Sequence, residues 1–553
     1  MALVQRRIGW IFALFFFLLL AAAGRTFYLG VLRSSSLREA ASNEQLSYGP
    51  VPAARGTISD RNGIDLAVSE PAQDISATPY LVSDPVAAAA KLAPLLGQSA
   101  TWVLGRLTGG GGFQYLARGL PEAKAQAVLA LKIPGITGTP AMRRVYPRGT
   151  LAGQLLGVVG TEGSGLAGLE YSSNSLLSGH TGQRRVVSDA RGQPVSISEV
   201  HPEQPGSSLS LSLDANVQQR AEDVLGAVGS VFEPKDATAI VMDPRNGEIL
   251  AMASWPSVNP NEPARAPASA LENRAIGFAY EPGSTFKVMA IAGALQQGLI
   301  TPETSFNVPD KIQVANRTIH DDTEHAEETL TPGQILAQSS NVGAIKIGML
   351  EGASNFNAWV HRFGFGEPTG VALPGEESGA VLALEHYSGS SMGNLPIGQG
   401  ELVTPLQMAS AYAAIADGGI LHQPRLLRSA GGRAVPEAPG RRVISARTAA
   451  EVRHMLEGVV AQGGTASEIS VPGYRLAGKT GTASKVDPLT GEYSKSAYVA
   501  SFIGFAPASD PRLLCAVVVD EPQLHSIYGG AVAAPAFAQI MSFALAYLRI
   551  PPG

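Results

Sequence analysis

The chain has 553 residues, of which 45% are hydrophobic and 16% are charged. A chain of this length is too long to fold around one hydrophobic core of ordinary size, so two or more domains are predicted. A net charge of −5 and a pI near 6.0 argue against a nucleic-acid-binding protein. The single cysteine, Cys515, excludes an internal disulfide, and we interpret it as a small buried apolar residue.

The N-terminal stretch predicts a membrane anchor. Two arginines precede residues 8–24, a run without any charge that spans about 26 Å as a helix. The apolar pattern resumes after one arginine, so we assign 1–7 to a cytoplasmic tail and 8–32 to a single transmembrane helix. A cleaved signal peptide is the competing interpretation, because Ala21–Ala23 resembles a cleavage site. In either case the rest of the chain leaves the cytoplasm.

Residues 33–205 show no recognisable catalytic chemistry, and we assign them a pedestal or partner-docking role. Arg61-Asn62-Gly63 predicts a turn between two short strands. Residues 83–135 have a mostly helical pattern that four glycines interrupt at 109–112. We interpret the glycine run as a flexible turn.

Residues 206–553 combine helical and strand patterns. An amphipathic helix is predicted from Asp214 to Leu225, followed by a β-hairpin around the Asn-Gly turn at 246–247. An apolar helix is predicted from Pro535 to Leu548, with its proline in the first turn. The hairpin strands are 237–242 and 248–253. The strand-like runs that we expect to form one antiparallel sheet are 476–483, 498–505 and 513–519.

The stretch Glu281–Lys287 holds the first catalytic candidates. Nearly every residue from Val288 to Leu295 is apolar or small, which predicts a helix buried on all sides. Ser284 and Lys287 stand three positions apart and therefore share one helix face. Burial lowers the pKa of a lysine, and a neutral amine can remove the proton of a neighbouring serine and activate it as a nucleophile.

Two further stretches complete a set of catalytic motifs. The residues Thr331–Gln334 predict a capped helix start, after which Ser339 and Asn341 lie in a turn that can present both side chains to a cleft. The residues Lys479-Thr480-Gly481-Thr482 follow a strand-like run. The motifs S-x-x-K, S-D-N and K-T-G together are typical of serine acyltransferases, and here the middle motif is S-S-N.

Three other patterns have weaker structural support. Residues 473–480 satisfy the nucleotide-binding pattern G-x-x-x-x-G-K-T, but no helix start is expected at the lysine. Residues 389–393 satisfy G-x-S-x-G without the apolar strand which that motif requires. The residues His320–His325 match no common zinc spacing, and we interpret them as a solvated polar loop. We therefore expect no metal and no cofactor.

These residues resemble the class B penicillin-binding proteins over nearly the whole chain. Within that family the division-specific, FtsI-like type is the most similar, and the elongation-specific type is the alternative. Besides the catalytic motifs, the stretches that carry the resemblance are Arg55–Gly63, Arg144 with Tyr146 and Pro147, Gly168 with Glu170, Gly364–Gly366, Gly398–Gly400 with Thr404, Pro405 and Gln407, and Tyr528–Gly530.

The resemblance implies a multidomain α+β protein with an elongated pedestal at 33–205. Residues 206–553 would form a transpeptidase domain with an antiparallel sheet between helices. The implied reaction is D,D-transpeptidation of peptidoglycan stem peptides that end in D-Ala-D-Ala, with β-lactams as covalent inhibitors. The implied location is the cell (inner) membrane at the division septum, with the catalytic domain outside the cytoplasm. The implied partners are a SEDS glycosyltransferase such as FtsW and other division proteins.

The resemblance also implies a role for each site residue. Ser284 is the nucleophile and Lys287 the base, while Ser339 relays a proton to the leaving amine. Lys479 would hold the Ser339 hydroxyl and attract the substrate carboxylate, and Asn341 would bind a stem-peptide amide. Thr480 and Thr482 would contact the terminal carboxylate, and Gly481 would leave room for the substrate backbone. The N–H groups of Ser284 and Thr482 would form the oxyanion hole. A β-lactamase, a D,D-carboxypeptidase and a non-catalytic β-lactam-binding scaffold are the alternatives.

Overall fold

The computed structural model describes residues 2–35, 46–188 and 194–552. Residues 36–45 of the polar stretch after the anchor and residues 189–193 of the predicted pedestal lie outside the described residues. The chain divides into two compact units. The first comprises 1–54, 71–142 and 179–206, and the second comprises 55–70, 143–178 and 207–553. The domain boundaries 33–205 and 206–553 stay predictions.

The N-terminal helix runs from Ala2 to Phe27 and continues as a π-helical turn from Tyr28 to Leu32. Its apolar span, Leu3–Leu32, has a mean hydropathy of 2.0, and none of its most apolar window is buried. The helix Gly529–Tyr547 is also long and apolar, but more than half of it is buried inside the second unit. An unburied apolar helix of this length suits the hydrocarbon core of a bilayer, which fits the anchor predicted at 8–32.

The first unit contains a three-stranded antiparallel sheet and a small helical core. The sheet has Gly182–Ser188 between Leu46–Val51 and Pro194–His201. The core packs around buried Ile75, Leu92, Val103 and Val128. Its elements are the helices Pro85–Leu96, Ala100–Thr108 and Glu122–Ala130 and the strand Gln114–Pro121, which pairs with residues 72–77 of the strand Asp65–Ala77. The strand Ile136–Val145 follows these elements in the chain.

The second unit includes a buried ionic cluster around one carboxylate. Glu170 is fully buried and accepts hydrogen bonds from Arg55 Nε at 2.5 Å and Arg144 Nε at 2.6 Å. The Tyr146 hydroxyl donates to the same carboxylate at 3.4 Å. A buried carboxylate is tolerated when it is paired in this way, so the cluster ties segment 55–70 to segment 143–178.

A five-stranded antiparallel sheet forms the centre of the second unit. The strand order is Ile249–Trp255, Asp236–Met242, Leu513–Asp520, Tyr493–Ala506 and Ala477–Val486. Every residue of the second and third strands in this order is buried, including Cys515. Both faces are therefore covered, and the predicted antiparallel sheet between helices is confirmed. The strand Ala477–Val486 lies at the edge.

Two helices that pack against this sheet and against each other differ in extent from the prediction. The helix predicted from Asp214 to Leu225 runs from Ala215 to Phe232. The last helix begins at Gly529, so the prediction that Pro535 lies in its first turn was wrong. A Cβ atom on Gly529 would overlap the carbonyl oxygens of Gly481 and Ser501. The helix can start this close to the sheet because its first residue has no side chain.

The second unit also contains further helices and short strands. The α-helices are Gly153–Leu156, Gly168–Ser172, Asn174–Leu177, Arg274–Gly277, Lys287–Gln296, Pro332–Gln338, Asn341–Glu351, Ala353–Arg362, Ser391–Asn394, Pro405–Ala416 and Ala446–Glu457. The short strands are Ile58–Ser59, Leu209–Leu211, Phe306–Val308, Lys311–Val314, Arg317–His320, Glu328–Leu330, Ile420–Leu421, Leu427–Ala430, Arg433–Ala434 and Arg441–Arg442.

Candidate active site

Ser284 lies in a short 3-10 turn, Gly283–Phe286, which leads directly into the helix Lys287–Gln296. Every residue from Lys287 to Leu295 is buried, which confirms the predicted buried helix. The Thr285 hydroxyl donates to Pro282 O at 2.7 Å, and the buried Tyr412 hydroxyl donates to Thr285 O at 2.7 Å. These bonds fix the turn from beneath and leave Ser284 itself half-buried.

Glycines allow two other segments to pack against this turn. The N–H of Gly283, at φ +55°, donates to Gly398 O at 3.0 Å, and a Cβ atom on Gly398 would overlap Gly283. A Cβ atom on Gly481 would overlap Ser501 Oγ and lie 3.0 Å from Thr285 Cγ2. Gly481 therefore lets the edge strand approach the nucleophile turn, a role that the sequence did not reveal. Its predicted contact with the substrate backbone stays a prediction.

Both lysine amines form hydrogen bonds with Ser339. The helix Pro332–Gln338 starts with the predicted capping box and ends at Ser339 in the left-handed conformation. Lys287 Nζ donates to Ser339 O at 2.5 Å and to Ser339 Oγ at 3.2 Å. Lys479 Nζ donates to the same Oγ at 2.9 Å. Among the described residues, the hydrogen bonds of the Lys287 amine go to Ser339 and none goes to Ser284.

Burial sets the protonation of the two amines. Both lysine side chains are completely buried. Burial lowers the pKa of Lys287 to about 8, although the charges of Asp322 and Asp321 act in the opposite direction. Burial also lowers the pKa of Lys479 well below its ordinary value, and the charge of Lys287 lowers it further. A neutral amine is therefore accessible in this pocket near neutral pH.

Asn341 opens the helix Asn341–Glu351, whereas we expected it in a turn. Its Nδ2 donates to His320 O at 2.9 Å and lies 3.4 Å from Asp322 Oδ1. The structure thus brings Asn341 close to the polar loop 320–325, and only one residue separates it from Ser339.

The prediction that 320–325 is a solvated loop was wrong for Asp321. The Asp321 side chain is only 8% exposed and accepts hydrogen bonds from Ser340 Oγ and Val342 N. The acidic pair was visible in the sequence, but only the fold reveals that it packs against a segment twenty positions away. Metal spacing was the wrong test for this loop, because its partners are hydroxyl and amide groups.

Residues Lys479–Thr482 lie within the edge strand Ala477–Val486. A P-loop needs a helix that starts at the lysine, so this location excludes the nucleotide-binding interpretation. The buried Thr480 hydroxyl lies 2.7 Å from Thr465 Oγ1, a neighbour that the sequence did not predict. Thr482 Oγ1 accepts from Gly529 N at 3.1 Å, so this hydroxyl lies at the positive end of the last helix.

Two glutamates, Glu281 and Glu401, have carboxyl groups whose pKa is raised by burial. Glu281 Oε1 accepts hydrogen bonds from Gly400 N at 2.9 Å and from the Tyr493 hydroxyl at 3.2 Å, and burial raises the pKa of Glu281. Glu401 is fully buried, and neither of its carboxylate oxygens has a hydrogen-bond partner among the described residues. Burial raises the pKa of Glu401 to about 8.

The chain is similar to known proteins along nearly its whole length. Residues 237–542 match the family described as penicillin-binding protein transpeptidase domain, and residues 50–211 match the penicillin-binding protein dimerisation domain. The chain is 35% identical to the peptidoglycan D,D-transpeptidase FtsI of Escherichia coli (strain K12), with 99% of this chain and 93% of that protein covered. It is 34% identical to the penicillin-binding protein PbpB of Mycobacterium tuberculosis, with 97% and 84% covered. Among solved structures, penicillin-binding protein 3 of M. tuberculosis complexed with aztreonam aligns with a TM-score of 0.71 and 29% identity, over 91% of this chain and 98% of that chain.

Proposed function

Because the chain belongs to the class B penicillin-binding proteins and is FtsI-like, we propose that it is a serine-type peptidoglycan D,D-transpeptidase that works through an acyl-enzyme at Ser284. The observation that carries the proposal is the convergence of Lys287 and Lys479 on the Ser339 hydroxyl, in the same unit as the Ser284 turn. Two buried amines around one hydroxyl supply both a base and a proton relay. An ordinary structural lysine is rarely buried so completely.

In the acylation step, Ser284 Oγ forms a bond to the carbonyl carbon of the penultimate D-Ala of a stem peptide. Its proton passes to the neutral Lys287 amine. Lys287 is bonded to Ser339 in the free protein, and catalytic hydrogen bonds commonly form fully only when substrate is bound. The N–H groups of Ser284 and Thr482 stabilise the developing oxyanion.

The Ser339 hydroxyl completes acylation as a proton relay. Its oxygen accepts from both lysine amines, which occupies its two lone pairs and leaves its own proton free to be donated. The carbon–nitrogen bond to the terminal D-Ala then breaks, the leaving nitrogen receives the Ser339 proton, and a lysine amine returns a proton to Ser339. The products are the acyl-enzyme and free D-Ala.

The edge strand Ala477–Val486 provides the substrate platform. An edge strand has unpaired N–H and C=O groups with which an extended peptide can form a ladder. The terminal carboxylate of the stem peptide fits beside Thr482, where the positive end of the helix Gly529–Tyr547 favours an anion. We assign Thr480 and Lys479 to the same carboxylate site and Asn341 to the stem-peptide amide.

Transfer to an amine distinguishes this function from simple hydrolysis. The amino group of a second stem peptide attacks the ester carbonyl, a new amide bond forms, and Ser284 Oγ leaves with the proton that the attacking amine releases. The cross-link needs no cofactor. A carboxypeptidase would use water at this step instead.

We assign the enzyme to septal wall synthesis, with residues 8–32 of the N-terminal helix in the inner membrane and the catalytic unit on the outer side. Two arginines ahead of the span favour a cytoplasmic N-terminus. A SEDS glycosyltransferase of the FtsW kind would supply the glycan strands, and other division proteins would act as further partners. Localisation of a tagged copy separates the two roles: midcell supports division, and the sidewall supports elongation.

Covalent labelling tests the nucleophile. The full chain in detergent should take up fluorescent penicillin, and Ser284→Ala should take up none. Ser391→Ala removes the serine of the competing G-x-S-x-G pattern and should label like the native protein. A native protein that is not labelled favours a non-catalytic scaffold. Incubation with a stem pentapeptide and an amine acceptor tests the transfer step, and release of tetrapeptide without a cross-linked product supports a carboxypeptidase.

A further inference from the structure

The middle residue of the S-S-N segment is held by a carboxylate that the mechanism above does not use. Asp321 Oδ2 accepts a hydrogen bond from Ser340 Oγ at 2.8 Å, and Asp321 Oδ1 accepts from Val342 N at 2.9 Å. The same Oδ2 lies 3.1 Å from His325 Nε2. One nearly buried carboxylate therefore joins the loop 320–325 to the residues on both sides of Asn341.

These contacts reach the two lysines through Ser339. Ser340 is the N-cap of the helix Asn341–Glu351, and its Oγ accepts from Gly343 N at 2.9 Å. Ser339, one residue earlier, has φ +62°, a conformation that a serine keeps only where its surroundings hold it. Rotation of the peptide between Ser339 and Ser340 would displace the carbonyl that Lys287 contacts.

We propose that Asp321 is a positioning residue for acylation. By holding Ser340 and the start of the helix Asn341–Glu351, it keeps the carbonyl and the hydroxyl of Ser339 in place for the two lysine amines. The inference rests on the proposed acylation of Ser284. The charge of Asp321 has a separate effect, because the carboxylates of Asp322 and Asp321 both raise the pKa of Lys287 against the effect of burial.

The adjacent aspartate offers a matched control. The Asp322 side chain is exposed and reaches the segment only through Asn341 Nδ2 at 3.4 Å, yet its charge acts on the same lysine. The Asp322→Asn variant therefore removes a comparable charge and leaves the buried hydrogen bonds intact. A difference between Asp321→Asn and Asp322→Asn measures positioning apart from charge.

The experiment compares acylation rate constants for fluorescent penicillin on the full chain in detergent. We expect Asp321→Asn to slow acylation by about 10- to 100-fold at the pH optimum. We expect Asp322→Asn to slow it by about fivefold or less. Equal losses in the two variants would mean that charge alone acts, and this result would overturn the positioning role.

The pH profile adds a readout that a general loss of stability does not move. Removal of either negative charge lowers the pKa of Lys287, so the rise of acylation with pH should shift to lower pH in both variants. The fall in the maximal rate should be confined to Asp321→Asn. An unchanged profile in both would contradict the electrostatic part of the argument.

A second variant keeps the test decisive if Asp321→Asn does not fold. Ser340→Ala removes the hydroxyl that Asp321 holds and should slow acylation in the same direction. A native rate in Ser340→Ala together with an unfolded Asp321→Asn would make Asp321 a folding residue and reject the proposal. Native protein that penicillin fails to label rejects the proposed function itself, whereas labelled native protein with an unimpaired Asp321→Asn rejects this inference alone.

Discussion

Replacement of Glu401 by glutamine should stabilise the protein relative to the native protein, and this difference in stability should grow as the pH rises. Its carboxyl group is fully buried, neither of its oxygens has a partner in the described part of the chain, and burial raises its pKa from 4.5 to about 8. The unfolded chain releases this proton near the ordinary value, while the folded protein keeps it. The folded state thus binds more protons between these two pKa values, and its stability falls as the pH rises through that window.

The two pKa values set the magnitude. For one group that shifts from 4.5 to about 8, the loss of unfolding free energy between about pH 5 and about pH 7 is about 2 to 3 kcal/mol. Glu401→Gln keeps the size of the side chain and removes the ionisation. The stability of the variant relative to the native protein should therefore grow by about 2 to 3 kcal/mol between about pH 5 and about pH 7.

Urea unfolding of the full chain in detergent measures this difference, with the fraction that still takes up fluorescent penicillin as the signal for the second unit. Glu385→Gln is the matched control, because Glu385 is exposed and its replacement should change stability equally little at both pH values. Contributions of other buried carboxyl groups cancel, since they are present in native and variant proteins alike. A relative stability of Glu401→Gln that does not depend on pH would refute the reasoning.

Three further predictions concern the site. Lys287→Arg should slow acylation by about 10²- to 10⁴-fold, because arginine stays protonated. Thermal unfolding should show that the variant is folded, and retained acylation would mean that another group accepts the Ser284 proton. Native acylation should rise about tenfold per pH unit below about pH 8 and then level off, and a rate that is flat over this range would exclude Lys287 as the base. Gly398→Ala should reduce acylation by about 100-fold, because its Cβ would overlap Gly283 beside the nucleophile. Gly432→Ala is its control, since Gly432 has the same φ of +77° with nothing within 4 Å of the added atom, and equal losses would attribute the effect to backbone strain.

Local chemistry made much of the site predictable. The capping box at Thr331 and the apolar run after Lys287 depend on residues within one or two helical turns, and both have the predicted structure. The hairpin around 246–247 also follows from a short-range turn signal. These features require no knowledge of where the rest of the chain lies.

Features that depend on close approach between distant segments were not predictable. The start of the last helix at Gly529 depends on the carbonyl oxygens of Gly481 and Ser501, and nothing near Gly529 in the sequence identifies them. The contact of Thr465 with Thr480 and the hold of Asp321 on Ser340 likewise join segments that only the fold brings together. A proline rule for the last helix and a metal-spacing rule for the loop 320–325 described the local sequence and missed the partners that decide the structure.

The distances around Ser339 also constrain how many protons the two lysines can hold. Their amines lie 3.2 and 2.9 Å from one oxygen, so Lys287 Nζ and Lys479 Nζ are at most about 6 Å apart. Two positive charges at that separation repel by about 3 kcal/mol at an effective dielectric constant of about 20, which is worth about two pKa units. Burial disfavours the second charge further, so the pair favours one proton over two near neutral pH. In the mechanism proposed above, a pair with one proton takes the proton of Ser284 at one amine while the other supplies a proton to the leaving group through Ser339, and this mechanism therefore uses two lysines rather than one.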